Sequence, residues 1–106
     1  MATWYSFDEG KTLGTRGSEH GVIVRDEEHA EGARITLEQG GSTAPYAITL
    51  GVYSVMMHTH FCGSQEEAEH AYNELKILIE RVITSWDPND RSGVDAAIDA
   101  LMAAYP

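Results

Sequence analysis

The sequence predicts an α+β domain, with a four- or five-stranded, mostly antiparallel sheet followed by two C-terminal helices packed on one face of it. Three observations carry this reading. Apolar positions alternate with a period of two up to Cys62 and repeat every third or fourth residue beyond it. The elements come as a block of strands and then a block of helices, which is the order of α+β rather than of alternating βαβ units. The chain has 106 residues, the length of one domain, so residues 1–62 read as the strand part and 64–105 as the helical part of a single unit.

The first strand is expected at residues 3–7, with Thr3, Tyr5 and Phe7 on one side and Trp4 and Ser6 on the other. Residues 8–21 contain Gly10, Gly14, Gly17 and Gly21 together with Lys11 and Arg16. Their spacing fits neither phosphate-binding fingerprint, so the segment reads as a flexible connection, with an anion cradle as the alternative. Two further strands, at 21–25 and 33–38, are joined by the charged stretch 26–32, which ends in glycine and has hairpin chemistry. In the second of these, Ile35 and Leu37 oppose Arg34, Thr36 and Glu38, so one side is wet.

Residues 45–62 form the longest uncharged, mostly apolar run. It lacks the Asn-Gly or Asp-Gly dipeptide of a tight hairpin, so a single long strand bent at Gly51 is expected. Tyr53, Val55, Met57, Thr59 and Phe61 look like its core side. Ser54, Met56, His58, His60 and Cys62 look like the side left uncovered.

Ser64 followed by Glu67 is a capping box, and it opens a helix whose apolar stripe is Ala68, Ala71, Tyr72, Leu75, Leu78, Ile79, Val82 and Trp86. Ile77 falls on its polar side. Asp87-Pro88 closes the segment, because the residue before proline disfavours α geometry. Ser92 is the expected cap of a last helix with the stripe Val94, Ala97, Ile98, Leu101, Met102 and Tyr105.

Seven basic against seventeen acidic side chains give a formal charge of −10. That balance disfavours tracking of nucleic-acid phosphates and adsorption to anionic membranes. No apolar run reaches the length of a membrane-spanning helix. One cysteine excludes an intrachain disulfide, and the first residues lack a leader pattern, so a cytoplasmic protein is expected.

His58, His60 and Cys62 share one side of a strand and form the one constellation with chemical content. Zinc held by these three would make a metal-dependent hydrolase centred on His58 and His60. With no second ligand motif and no complete catalytic set, the sequence points instead away from an enzyme that needs a cofactor. It points toward a domain that associates with itself or with a protein partner through the uncovered sheet face or a strand edge. Met56, His58, His60 and Ile77 are the residues expected at the contact. A second alternative is an acidic inhibitor of a basic partner.

Overall fold

The change of period at Cys62 is the main divide of the structure. A computed structural model describes residues 3–106, leaving Met1 and Ala2 outside the described part. It has strands β1 (Trp4–Ser6), β2 (Val22–His29), β3 (Ala33–Gln39), β4 (Tyr46–Val52) and β5 (Met56–Cys62), then helices α1 (Gln65–Thr84) and α2 (Ser92–Ala104). The sheet order is β1-β2-β3-β4-β5 and every neighbouring pair is antiparallel. This is the expected α+β architecture, with five strands.

α1 begins where the capping box puts it. Ser64 Oγ accepts the Glu67 amide at 3.2 Å, and the Glu67 carboxylate reaches back to the Gly63 amide at 3.0 Å. Glu66 and Glu67 sit in the first turn and Arg81 in the last, each on the side of the helix dipole that favours its charge. The buried stripe runs Ala68, Ala71, Tyr72, Leu75, Ile79 and Val82. It lies on Ile35 and Leu37 of β3 and on Ile48 and Leu50 of β4. Each large apolar side chain withdrawn from water here contributes about 1.5–3 kcal/mol. α2 packs chiefly along α1 through Val94 and Leu101. Its first amide, on Ser92, donates to Asp90 Oδ1 at 2.9 Å, so Asp90 rather than Ser92 satisfies that end. Trp86 falls beyond α1 and is half exposed, with the Arg91 guanidinium 5.5 Å from its ring centroid.

In the sheet itself, three expectations are corrected. Residues 45–62 are not one bent strand. They form the β4–β5 hairpin, which turns at residues 53–55 with Ser54 at φ 65°, and Gly51 stays in register opposite Met57. The turn needs its left-handed residue at Ser54, so a search for Asn-Gly could not find it.

The two sides of β5 are also reversed. Val52 pairs with Met56, Leu50 with His58, Ile48 with His60 and Tyr46 with Cys62. This register places Met56, His58, His60 and Cys62 under the helices, and Met57, Thr59 and Phe61 on the uncovered side. β4 decides the matter. Its Tyr46, Ile48, Leu50 and Val52 set is large and apolar, whereas Ala47, Thr49 and Gly51 offer little to bury, and β5 must follow its neighbour.

The third correction concerns the charged stretch 26–32, most of which is strand. Only residues 30–32 turn, with Gly32 at φ 99°. The side chains at 26–29 find partners on neighbouring strands or on α1. On the helix side Glu27 accepts from Lys76 Nζ at 3.0 Å and from the Tyr72 hydroxyl at 2.8 Å. His29 stacks edge-on against Trp4, whose indole N–H donates to Glu80 at 3.2 Å. Burial by itself would push the Glu27 carboxyl up, but the Tyr72 and Lys76 hydrogen bonds hold it below the ordinary carboxylate value. In that window the unfolded chain binds the proton that folded Glu27 refuses, so stability rises with pH. The Glu27 contribution is therefore complete above the ordinary carboxylate range and is lost as pH falls through its lowered value. Thermal unfolding of Glu27→Gln across an acid series is expected to give a flatter low-pH limb than the parent chain. Parallel limbs would remove this assignment.

Candidate functional site

The uncovered side of the sheet is organised in rows set by register. Glu28, Arg34, Gly51 and Met57 form one row. Asp26, Thr36, Thr49 and Thr59 form the next, and Ile23, Glu38, Ala47 and Phe61 the third. The rows run from charged on β2 and β3 to neutral on β5.

The charged end is closed on itself. Arg34 forms a two-pronged bond to Asp26, Nε to Oδ1 at 2.9 Å and Nη2 to Oδ2 at 2.6 Å. The Thr12 and Thr36 hydroxyls also donate to that carboxylate, at 2.8 and 3.0 Å. The Phe7 ring centroid lies 3.5 Å from the Arg34 guanidinium carbon. Glu28 accepts from the hydroxyls of Tyr5 at 3.2 Å and Tyr53 at 2.8 Å. Burial, the bond to Glu28 and the charge of Glu28 push the Tyr53 phenol up to about 12.

Residues 8–21 are not a loose connection. After left-handed Asp8 and Glu9, at φ 48° and 57°, the chain runs back along the start of β2. Gly14 N donates to Ile23 O at 2.8 Å and Ile23 N to Thr15 O at 2.9 Å. The segment then folds over Glu38, whose carboxylate is buried and accepts the amides of Glu19 and Gly21, each at 3.1 Å. Gly17 lies directly on that carboxylate. A Cβ there would come within 2.3 Å of its carboxyl carbon, so only glycine fits.

Between this segment and the β4–β5 turn opens a cleft of about 870 Å³. Thr12, Thr15, Arg16 and Ser18 form one wall, the backbone around Gly51 the floor, and Met57 part of the far rim. Thr49 also lines it, and its hydroxyl is buried without a hydrogen-bond partner among the described residues.

The neutral end is β5, the last strand of the sheet. Met57 is 76% exposed and Phe61 39%. On the helix side of the same strand, the three residues that the zinc alternative would use have other engagements. His58 Nε2 lies 2.7 Å from Tyr105 O and His60 Nδ1 lies 2.8 Å from Pro106 O, so in each ring that nitrogen donates to a backbone oxygen. Cys62 is buried, and burial followed by the nearby Glu67 charge pushes its thiol up, away from the reactive thiolate. Among the described residues no group of three or more His, Cys, Asp or Glu side chains is arranged to hold one ion. Of the residues expected at a contact, Met56 is partly buried against the core, His58 and His60 lie under the end of α2, and Ile77 is 50% exposed on the outer side of α1.

Sequence reasoning anticipates a strand edge without saying which; at residues 8–21 it offers an anion cradle only as an alternative, and it does not foresee a cleft shared with the β4–β5 turn. The glycines are the signal for this segment: Gly14 takes a left-handed φ of 84°, and Gly17 and Gly21 lie where a Cβ would press on Glu38 and its neighbour Gln39. Comparison with known protein families, curated proteins and solved structures finds no match. No helix among the described residues is long and apolar enough to cross a membrane.

Proposed function

We propose that this chain works as a self-associating domain, and that two copies join through β5 in an antiparallel pair centred on Thr59. The observation that carries the proposal is the composition of that edge. Exposed sheet edges are ordinarily protected by charged side chains, proline or a bulge. Met56–Cys62 has no acidic residue, lysine, arginine or proline, and its register with β4 runs without a shift. The opposite edge, β1, is only three residues long.

The strand is self-complementary. A two-fold axis at Thr59 sets Met57 of one copy against Phe61 of the other on the uncovered side, with Thr59 facing its own equivalent. Thioether–aromatic and Thr–Thr neighbours are both favourable across antiparallel strands. Met57 and Phe61, exposed in the single chain, then shield each other. The contact is thus assigned to Met57, Thr59 and Phe61, in place of the residues first expected from the sequence.

A charge of −10 on each copy opposes association through any face, and least through a neutral edge. Salt is therefore expected to tighten the dimer by screening. An acidic inhibitor bound to a basic partner would respond in the opposite sense. Sedimentation velocity should show a dimer that strengthens with salt and is lost in Thr59→Lys, where the two-fold brings like charges face to face. A chain that stays monomeric at high micromolar concentration, or a Thr59→Lys variant as dimeric as the parent, would overturn the proposal.

A further inference from the structure

We infer that the cleft between residues 12–18 and the β4–β5 turn is a binding site for a small amphipathic organic anion, with its acidic head on Arg16 and its apolar body over Gly51. The inference rests on other observations than association through β5, with Met57 bordering both surfaces. A cleft of about 870 Å³ has the size of small-molecule sites, which combine apolar walls with a few placed polar groups.

The polar groups here have a clear balance. Arg34 is neutralised by Asp26. Glu38 is turned toward the Glu19 and Gly21 amides and lies beneath Gly17. Arg16 lines the cleft and, among the described residues, forms no ion pair with a carboxylate. The described lining therefore holds one cation without a carboxylate partner, Arg16, while the Glu38 carboxylate is buried and taken up by the Glu19 and Gly21 amides beneath Gly17. A guanidinium in that position suits the two oxygens of a carboxylate or the oxygens of a sulfate.

The floor explains the apolar half of the ligand. Gly51 is the one residue of β4 without a side chain, and it sits between Arg34 and Met57 in its row. A Cβ built there would touch Met56 O and Met57 Cγ at ordinary contact distance, both 3.5 Å, so the glycine keeps the floor low beside Met57. Ile23 and Met57 line the cleft and supply apolar surface.

The overall charge makes the test discriminating. Unspecific electrostatics around a chain of net charge −10 favour cations. A preference for an anion must then arise locally. Calorimetric titration with decanoate, 1-decanol and decyltrimethylammonium is the experiment. Decanoate is expected to bind at one site per chain and at least about tenfold more tightly than the alcohol or the cation, the scale of one charged hydrogen bond. Arg16→Gln should erase that preference, and Gly51→Leu should abolish decanoate binding by filling the floor. Arg16 is exposed, so its variant decides the matter even where Gly51→Leu fails to fold. No decanoate binding by about 1 mM, equal or tighter binding of the cation, or decanoate affinity unchanged in Arg16→Gln would overturn the inference.

Discussion

Replacing Tyr72 with alanine is expected to lower unfolding stability by about 3–5 kcal/mol, a large share of what a domain of this size possesses. Tyr72 is the largest fully buried side chain. Its ring fills the space between α1 and the sheet and carries the Arg25 guanidinium 4.0 Å from its centroid. Its hydroxyl crosses to Glu27 at 2.8 Å. Burial, and then the bond to Glu27, push that phenol up, so the proton stays on the tyrosine and the hydrogen bond persists through neutral and mildly alkaline pH. Tyr72→Phe separates the two contributions. It keeps the ring and removes only the donor, and Lys76 remains to serve Glu27. A loss of about 1–2 kcal/mol is expected for it. Chemical denaturation of both variants checks the pair. Equal losses would mean that the hydroxyl, and not the packed ring, is what stabilises the fold at this position.

The second large effect is at Glu38. Glu38→Ala leaves the Glu19 and Gly21 amides without their acceptor and a hollow under Gly17, with an expected loss of about 2–3 kcal/mol. The damage should be local. Hydrogen exchange at the Glu19 and Gly21 amides is expected to accelerate well before that of β3 and β4. Gly17→Ala attacks the same contact from above by forcing a buried and doubly hydrogen-bonded carboxylate aside. In the Glu38→Ala background there is nothing left to displace, so adding Gly17→Ala should cost almost nothing. Additive losses in the double variant would show that the two residues do not meet.

The helical half of the molecule was legible in the sequence except where α1 ends and α2 begins, with Trp86 outside α1 and Asp90 rather than Ser92 satisfying the first amide of α2. Capping at Ser64, the acidic first turn and the stripe from Ala68 to Val82 are local features, and local rules read them. The apolar alternation of β3 was equally plain, but its other side is not wet as expected, since Thr36 and Glu38 are buried. β5 was harder because its two sides, read alone, differ little. Met57 and Phe61 look more like core than His58 and His60 do, yet β4 and the turn at 53–55 fix which side faces the helices. The charged stretch in β2 was obscure for a related reason. Asp26, Glu27, Glu28 and His29 look like a solvated turn until Arg34, Lys76, Tyr53 and Trp4 arrive from other parts of the chain. Glu38 belongs to the same class, since its partners are backbone amides, which no side-chain pattern announces.

The order of the sheet has a further consequence, for how the chain gets there. Each strand from β2 to β5 lies beside its neighbour in sequence, across connections at residues 30–32, 40–45 and 53–55. Closing short loops costs little chain entropy, so these hairpin pairings are the cheapest closures in the fold. The distant closures belong to the helices, which bring Lys76 to Glu27, Glu80 to Trp4 and the end of α2 to His58. Topology thus divides the search for the native state into a nearby part done by the strands and a remote part done by α1 and α2.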